Sequence, residues 1–93
     1  IFVSKVSRVT VIYENATYKV KGPLFFASTT KFVQAFSDIQ DEKVIINFSD
    51  SQLWDESAVG AIVKVKQQLE DRGTQVQLTG FNTASRKLYE QLT

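Results

Sequence analysis

Three carboxylates and a hydroxyl stand close together in this chain: Asp50, Asp55, Glu56 and Ser57. Such a cluster could hold a magnesium ion, or supply an acid and a base to one reaction. A serine nucleophile, however, needs a base. The chain has no histidine, so Ser57 has only carboxylates and lysines to turn to. Without histidine or cysteine the ligands for zinc or haem are also missing, because carboxylates alone suit hard cations. A phosphate-binding loop is not evident either, since Gly60-Ala61-Ile62-Val63-Lys64 offers one glycine inside a helical pattern. The preferred reading of the carboxylates is structural. Acidic side chains gather at a helix N-terminus, where free N–H groups and the helix dipole favour negative charge. No catalysis, metal or cofactor is expected.

Recognition fits these residues better. The stretch Leu53-Trp54-Asp55-Glu56-Ser57-Ala58-Val59-Gly60 follows an apolar run and a polar segment, Ser49-Asp50-Ser51-Gln52, read here as a turn. Asp55 is the expected N-cap of a long helix, with Glu56 and Ser57 in its first turn. Trp54 is the single tryptophan of the chain and precedes the cap. It serves either as a lid over the sheet edge or as an aromatic anchor for a protein partner. Ser57 is a candidate phosphorylation site, where added charge would suit the helix and repel an acidic partner. The candidate partner-binding set is therefore Leu53, Trp54, Asp55, Glu56, Ser57 and Ala58.

The elements that must position this set follow from periodicity. Alternation over residues 6–13 and 17–21, with Glu14-Asn15-Ala16 between, reads as a β-hairpin that Gly22-Pro23 should end. Leu24-Phe25-Phe26 reads as an apolar plug filling the core. Ser28 or Thr29 caps a helix whose Phe32, Val33, Phe36 and Ile39 share one face. Val44-Ile45-Ile46-Asn47-Phe48 lacks polar alternation and is expected to be a strand covered on both faces. The helix after Asp55 has Ala58, Ile62, Val65 and Leu69 on one stripe and Gly73 as its C-terminal cap. Alternation from Thr74 to Thr79 makes another strand, and a last helix should turn Ala84, Leu88 and Leu92 inward. The order is β-β-α-β-α-β-α, an α/β fold with a mixed sheet and helices packed against it.

With 93 residues the chain is read as one domain, residues 1–93, and 11 basic against 10 acidic side chains leave no charge excess for nucleic acid. Lys5, Arg8, Lys19 and Lys21 read as the solvated face of the hairpin. No run of about 18 apolar residues is present, so no bilayer span is expected. The start at Ile1, without a methionine, suggests a piece of a longer polypeptide.

These parts, in this order, resemble a STAS domain, the module shared by anti-sigma factor antagonists and the cytoplasmic C-terminal part of SulP-type anion transporters. The resemblance covers nearly the whole chain. It is carried by the hairpin, Val44-Ile45-Ile46-Asn47-Phe48-Ser49, the Asp55-Glu56-Ser57-Ala58 turn, Arg72-Gly73 and the strand after it. Gly22-Pro23-Leu24-Phe25-Phe26-Ala27-Ser28 looks like a segment typical of the transporter branch. In the antagonist branch the turn reads Asp-Ser-Ser-Gly, and the first serine is phosphorylated by the partner kinase. Here Asp55 matches the aspartate, Glu56 replaces that serine, Ser57 matches the second serine and Ala58 replaces the glycine. A carboxylate where the switch would sit favours the transporter branch.

The resemblance thus implies a non-enzymatic regulatory and interaction domain of a SulP-like, sulfate-type anion transporter. It implies a place at the cytoplasmic face of the cell membrane within a multi-pass protein, with protein partners or the transporter's own membrane domain. A free-standing antagonist-type regulator, or a subunit of a lipid-transport or stress-signalling complex, is the alternative. A nucleotide-binding module is a third class.

Overall fold

The structure, a computed structural model, describes residues 9–93. Four strands lie in the spatial order β1-β2-β3-β4: β1 Thr10–Glu14, β2 Thr17–Leu24, β3 Lys43–Leu53 and β4 Gln75–Thr79. Three helices alternate with the later strands: α1 Thr29–Gln34, α2 Glu56–Asp71 and α3 Thr83–Leu92. The element order is the expected β-β-α-β-α-β-α in a mixed sheet. The proposed start of the first strand, including Lys5 and Arg8, lies outside the described residues.

β1 and β2 form an antiparallel hairpin that turns through Asn15 and Ala16, both at positive φ (54° and 61°). Two successive left-handed residues match the right-handed twist of the strands, and asparagine suits the first of them. β2 does not end at Gly22-Pro23 as the proline suggested. It runs on to Leu24, pairing Pro23 with Gln52 and Leu24 with Leu53. Leu24 O accepts from Trp54 N–H on the β3 side, so the backbone groups of Pro23 point away from β3 and its missing N–H costs no bond in that pairing.

This extension corrects a second expectation. Ser49-Asp50-Ser51-Gln52 is not a turn but the second half of β3, paired in parallel with the end of β2. A register shift between Lys19 and Lys21 accommodates the change.

β2, β3 and β4 are parallel, and each crossover steps one strand further in the same direction. Right-handed connections then place α1 and α2 on the same face of the sheet. Among the described residues the core is therefore one-sided. Val44, Ile46 and Phe48 are buried, whereas Ile45 and Asn47 on the other face are only half-buried. Among the described residues the expected double cover of this strand is not present.

Phe32, Phe36 and Ile39 are buried as their spacing required, although α1 ends at Gln34, Phe36 lies in the following turn and Ile39 just beyond it. On α2 the buried stripe is Ala58, Val59, Ala61, Ile62, Val65 and Leu69. The helix closes at Gly73 (φ 89°), with Gly73 N–H donating to Glu70 O at 2.9 Å and Thr74 N–H to Leu69 O at 3.0 Å.

α3 departs from its expected face. Ser85 is buried and Leu88 and Tyr89 are half-buried, while Ala84 is exposed and Leu92 is 45% exposed. Two contacts set this rotation: the Ser85 hydroxyl accepts from Leu53 N–H at 3.1 Å, and Phe81 stacks on Tyr89 at 5.4 Å. Gly80 (φ 83°) lets the chain leave β4 there, because a Cβ would sit 2.7 Å from Asn47 Oδ1 and 2.8 Å from Ser49 N.

Candidate functional site

The C-terminal ends of β2 and β3 lie side by side and release two short loops at the same end of the sheet. One leads from Leu24 to α1, the other from Leu53 to α2. Backbone bonding laces them together, with Trp54 N–H donating to Leu24 O at 2.9 Å.

Asp55 completes the lacing. Its Oδ1 accepts from Ala58 N–H at 3.2 Å, which caps α2 as the sequence required. Its Oδ2 accepts from Phe26 N–H at 3.1 Å, a bond to the other loop across 29 positions of sequence. Both oxygens are thus committed inside the fold. Ser28 finishes the loop: its hydroxyl donates to Pro23 O at 2.9 Å and accepts from Phe25 N–H at 3.2 Å. It occupies the N-cap position of α1 but makes no side-chain cap bond there. The hydroxyl binds the loop instead.

This arrangement presents aromatic surface. Trp54 is 51% exposed and Phe26 is 73% exposed. Phe25 sits against both, its ring centroid 5.0 Å from Trp54 and 5.5 Å from Phe26, edge-on to the latter. Only Leu24 of the expected Leu24-Phe25-Phe26 plug is core, at 0% exposure. The two phenylalanines follow the strand end into a loop whose backbone is tied to Asp55, and no helix covers Phe26. Phe25 and Phe26 join the candidate set, which the sequence alone did not place there. The signal was available: adjacent aromatics after a Gly-Pro break, with no periodicity to carry them inward.

Of the six candidate residues, Trp54, Glu56 and Ser57 are at the surface and Asp55 is half-buried. Leu53 and Ala58 are buried and support the surface from beneath. Trp54 Nε1 donates to Gln52 Oε1 at 3.2 Å, which orients the indole across the loop. Ser57 borders a groove of about 310 Å³ between α1 and α2, with Thr29, Val33, Gly60 and Lys64 among its walls.

The carboxylates do not converge. Asp50 pairs with Lys19 at 3.4 Å, Asp55 is held by two backbone N–H groups, and Glu56 is exposed. Among the described residues no three acidic side chains lie close enough to share a metal ion. A rigid aromatic surface beside one fixed negative charge is suited to holding another macromolecule.

The geometry is that of a known module. A family model of the STAS domain matches residues 7–93, and the chain belongs to the STAS domain family. It is 34% identical over 97 residues to a Bacillus subtilis (strain 168) protein called "Putative sulfate transporter YbaR", the match taking in 98% of this chain and 20% of that protein. The chain thus spans about a fifth of the length of that relative. Among solved structures it is similar to an antisigma-factor antagonist STAS domain from Rhodobacter sphaeroides (31% identity, TM-score 0.64, 77% of this chain and 84% of that one). It is also similar to the STAS domain of a SulP transporter from Vibrio cholerae (25% identity, TM-score 0.58, 77% of this chain and 59% of that one). The domain is therefore related both to SulP transporter STAS domains and to anti-sigma factor antagonists. No helix of the described residues is long and apolar enough to cross a membrane.

Proposed function

We propose that this domain is a non-enzymatic regulatory and protein-interaction module of a SulP-family, sulfate-type anion transporter. It works at the cytoplasmic face of the cell membrane as part of a multi-pass protein. Its partners are other proteins and the transporter's own membrane domain. The observation that carries this reading is the match of 98% of this chain to one fifth of a protein named as a sulfate transporter.

The docking surface is Trp54, Glu56 and Ser57, joined by Phe25 and Phe26 and held in place by Asp55, Leu53 and Ala58. The aromatic rings supply apolar contact area at a low cost in side-chain entropy. Glu56 supplies a permanent negative charge where the antagonist branch carries its phosphorylated serine. Phosphorylation of Ser57 would add charge in the first turn of α2 and weaken docking to an acidic partner.

The test is a titration of isotope-labelled domain with the membrane portion of its parent. Resonance shifts centred on Phe25, Phe26, Trp54, Glu56 and Ser57 support the site. Shifts elsewhere, with these five silent, would remove it. A second reading, a free-standing antagonist-type regulator, is favoured by the 31% identity to the Rhodobacter domain over 84% of that chain. The parent reading frame separates the two: membrane-spanning segments upstream support the transporter, and a start codon just before Ile1 supports the regulator.

A further inference from the structure

The ends of β2 and β3 and the loop after β4 border a cleft of about 210 Å³, with Pro23, Asp50, Gln52, Trp54 and Asn82 among its walls. Crevices outside the carboxyl ends of parallel strands are where α/β sheets commonly take ligands. Asp50 and Gln52 alternate on β3 with the buried Ser51 and Leu53, and both are exposed. The strand therefore turns a carboxylate and a carboxamide to the same face. Asn82 brings a second carboxamide from the far side, where it begins α3.

These polar walls are already oriented. Gln52 Oε1 accepts from Trp54 Nε1 at 3.2 Å, and Asn82 Oδ1 accepts from Ser85 N–H at 2.7 Å. Each carboxamide thus commits its oxygen inside the fold and offers its NH2 as a donor. Asp50 Oδ2 pairs with Lys19 at 3.4 Å, which leaves Oδ1 as an acceptor. The indole is fixed by Gln52 at its nitrogen and by Phe25, whose ring centroid lies 5.0 Å away.

Two NH2 donors, a carboxylate acceptor and an aromatic wall suit a ligand whose groups both give and receive hydrogen bonds. Hydroxyls do both. An anion would meet the Asp50 carboxylate, and a cation would find Lys19 already on it. The volume, about 210 Å³, falls below the roughly 300–1,000 Å³ of drug-sized pockets and leaves room for one ring. We propose that this cleft binds a neutral polyhydroxylated ring, the size of one monosaccharide or cyclitol. Adjacent hydroxyls bond to Asp50 and the two carboxamides, and the C–H face of the ring rests on Trp54. Trp54 is shared with the docking surface, but Asp50, Gln52 and Asn82 are not, and the proposal stands independently of docking.

Trp54 is the single tryptophan, so its fluorescence reads this cleft directly. The domain is titrated with glucose, galactose and myo-inositol, and with sodium sulfate and sodium acetate as anions. At least one polyol should give a saturable change with a dissociation constant of about 1–10 mM, modest because the ligand is small. The same polyol should shift the side-chain NH2 resonances of Gln52 and Asn82 in isotope-labelled domain. Methyl β-galactoside beside galactose tells a linked terminal sugar from a free one, and binding of either supports the site. Asp50→Ala, with circular dichroism identical to wild type, should raise the dissociation constant about tenfold. No saturable change with any polyol up to about 100 mM, a stronger response to either anion, or unchanged affinity in Asp50→Ala would overturn the proposal.

Discussion

The Asp55 carboxylate joins the two loops that leave the ends of β2 and β3 by accepting from Phe26 N–H at 3.1 Å while it caps α2 through Ala58 N–H at 3.2 Å. A residue that reads from the sequence as one helix cap is therefore also a tie between distant segments. Replacing it by alanine removes both bonds. Asp55→Ala should destabilise the domain by about 1–3 kcal/mol, and Asp55→Asn by less, since one acceptor oxygen remains. Urea denaturation of the three chains checks the ranking.

Phe26 and Trp54 are exposed enough that their loss should affect binding more than folding. Phe26→Ser should change stability by no more than about 0.5 kcal/mol. Combined with Trp54→Ala it should weaken docking by about tenfold or more. On the proposed transporter reading, affinity for the membrane portion, measured beside a thermal melt, separates the two effects. A docking affinity unchanged in the double variant would remove the aromatic surface from the site.

Ser85 makes the one side-chain bond to the buried Leu53 N–H. Ser85→Ala keeps the helix propensity but leaves that donor without its partner. A loss of about 1–3 kcal/mol is expected, larger than that of Thr83→Ala at the exposed start of the same helix. Calorimetric melting of both variants gives the comparison.

Ala16 holds φ 61° in the hairpin turn, a conformation that costs a residue with a Cβ. Glycine is at ease there, and asparagine followed by glycine is the preferred pair for such a turn. Ala16→Gly should therefore stabilise the domain by about 0.5–1 kcal/mol, after the greater entropy of the unfolded glycine is counted. The melting temperature should rise. A fall would mean that the turn relaxes differently.

Tyr18 packs between Tyr13 and Phe36, with ring centroids 4.8 and 5.5 Å away. Burial, and then the nearby Asp41 carboxylate, raise its pKa above the phenol's ordinary 10.0. The folded chain therefore keeps this proton where the unfolded chain has lost it. The resulting contribution to stability is fully present below pH 10.0 and is lost as pH rises through the raised value. Ultraviolet titration should show a tyrosine ionising late in the wild type, and the late component should vanish in Tyr18→Phe.

The order of elements, the Asp55 cap, the stripe on α2 and its glycine stop all followed from local rules in the sequence. Each depends on residues within a few positions of one another, where side-chain periodicity and cap chemistry act directly. Pro23 and the polar run Ser49-Asp50-Ser51-Gln52 misled because their local preferences are for turns. Strand pairing between them, across 29 residues, outweighs those preferences. Val44-Ile45-Ile46-Asn47-Phe48 looked doubly covered because hydrophobicity alone does not say on which side the helices pack.

The inward face of α3 and the exposure of Phe26 were likewise beyond local reading. One is set by a hydroxyl bonding to Leu53, the other by a carboxylate holding the loop. What the sequence determined by itself was the succession of elements and the acidic start of α2, because propensity and capping are encoded over a few residues. What the tertiary structure alone decided, among the described residues, was the face of the sheet that carries the core and the aromatic surface of Phe25, Phe26 and Trp54. These arise where segments far apart in the chain meet, and only the paired sheet fixes which of their groups remain free.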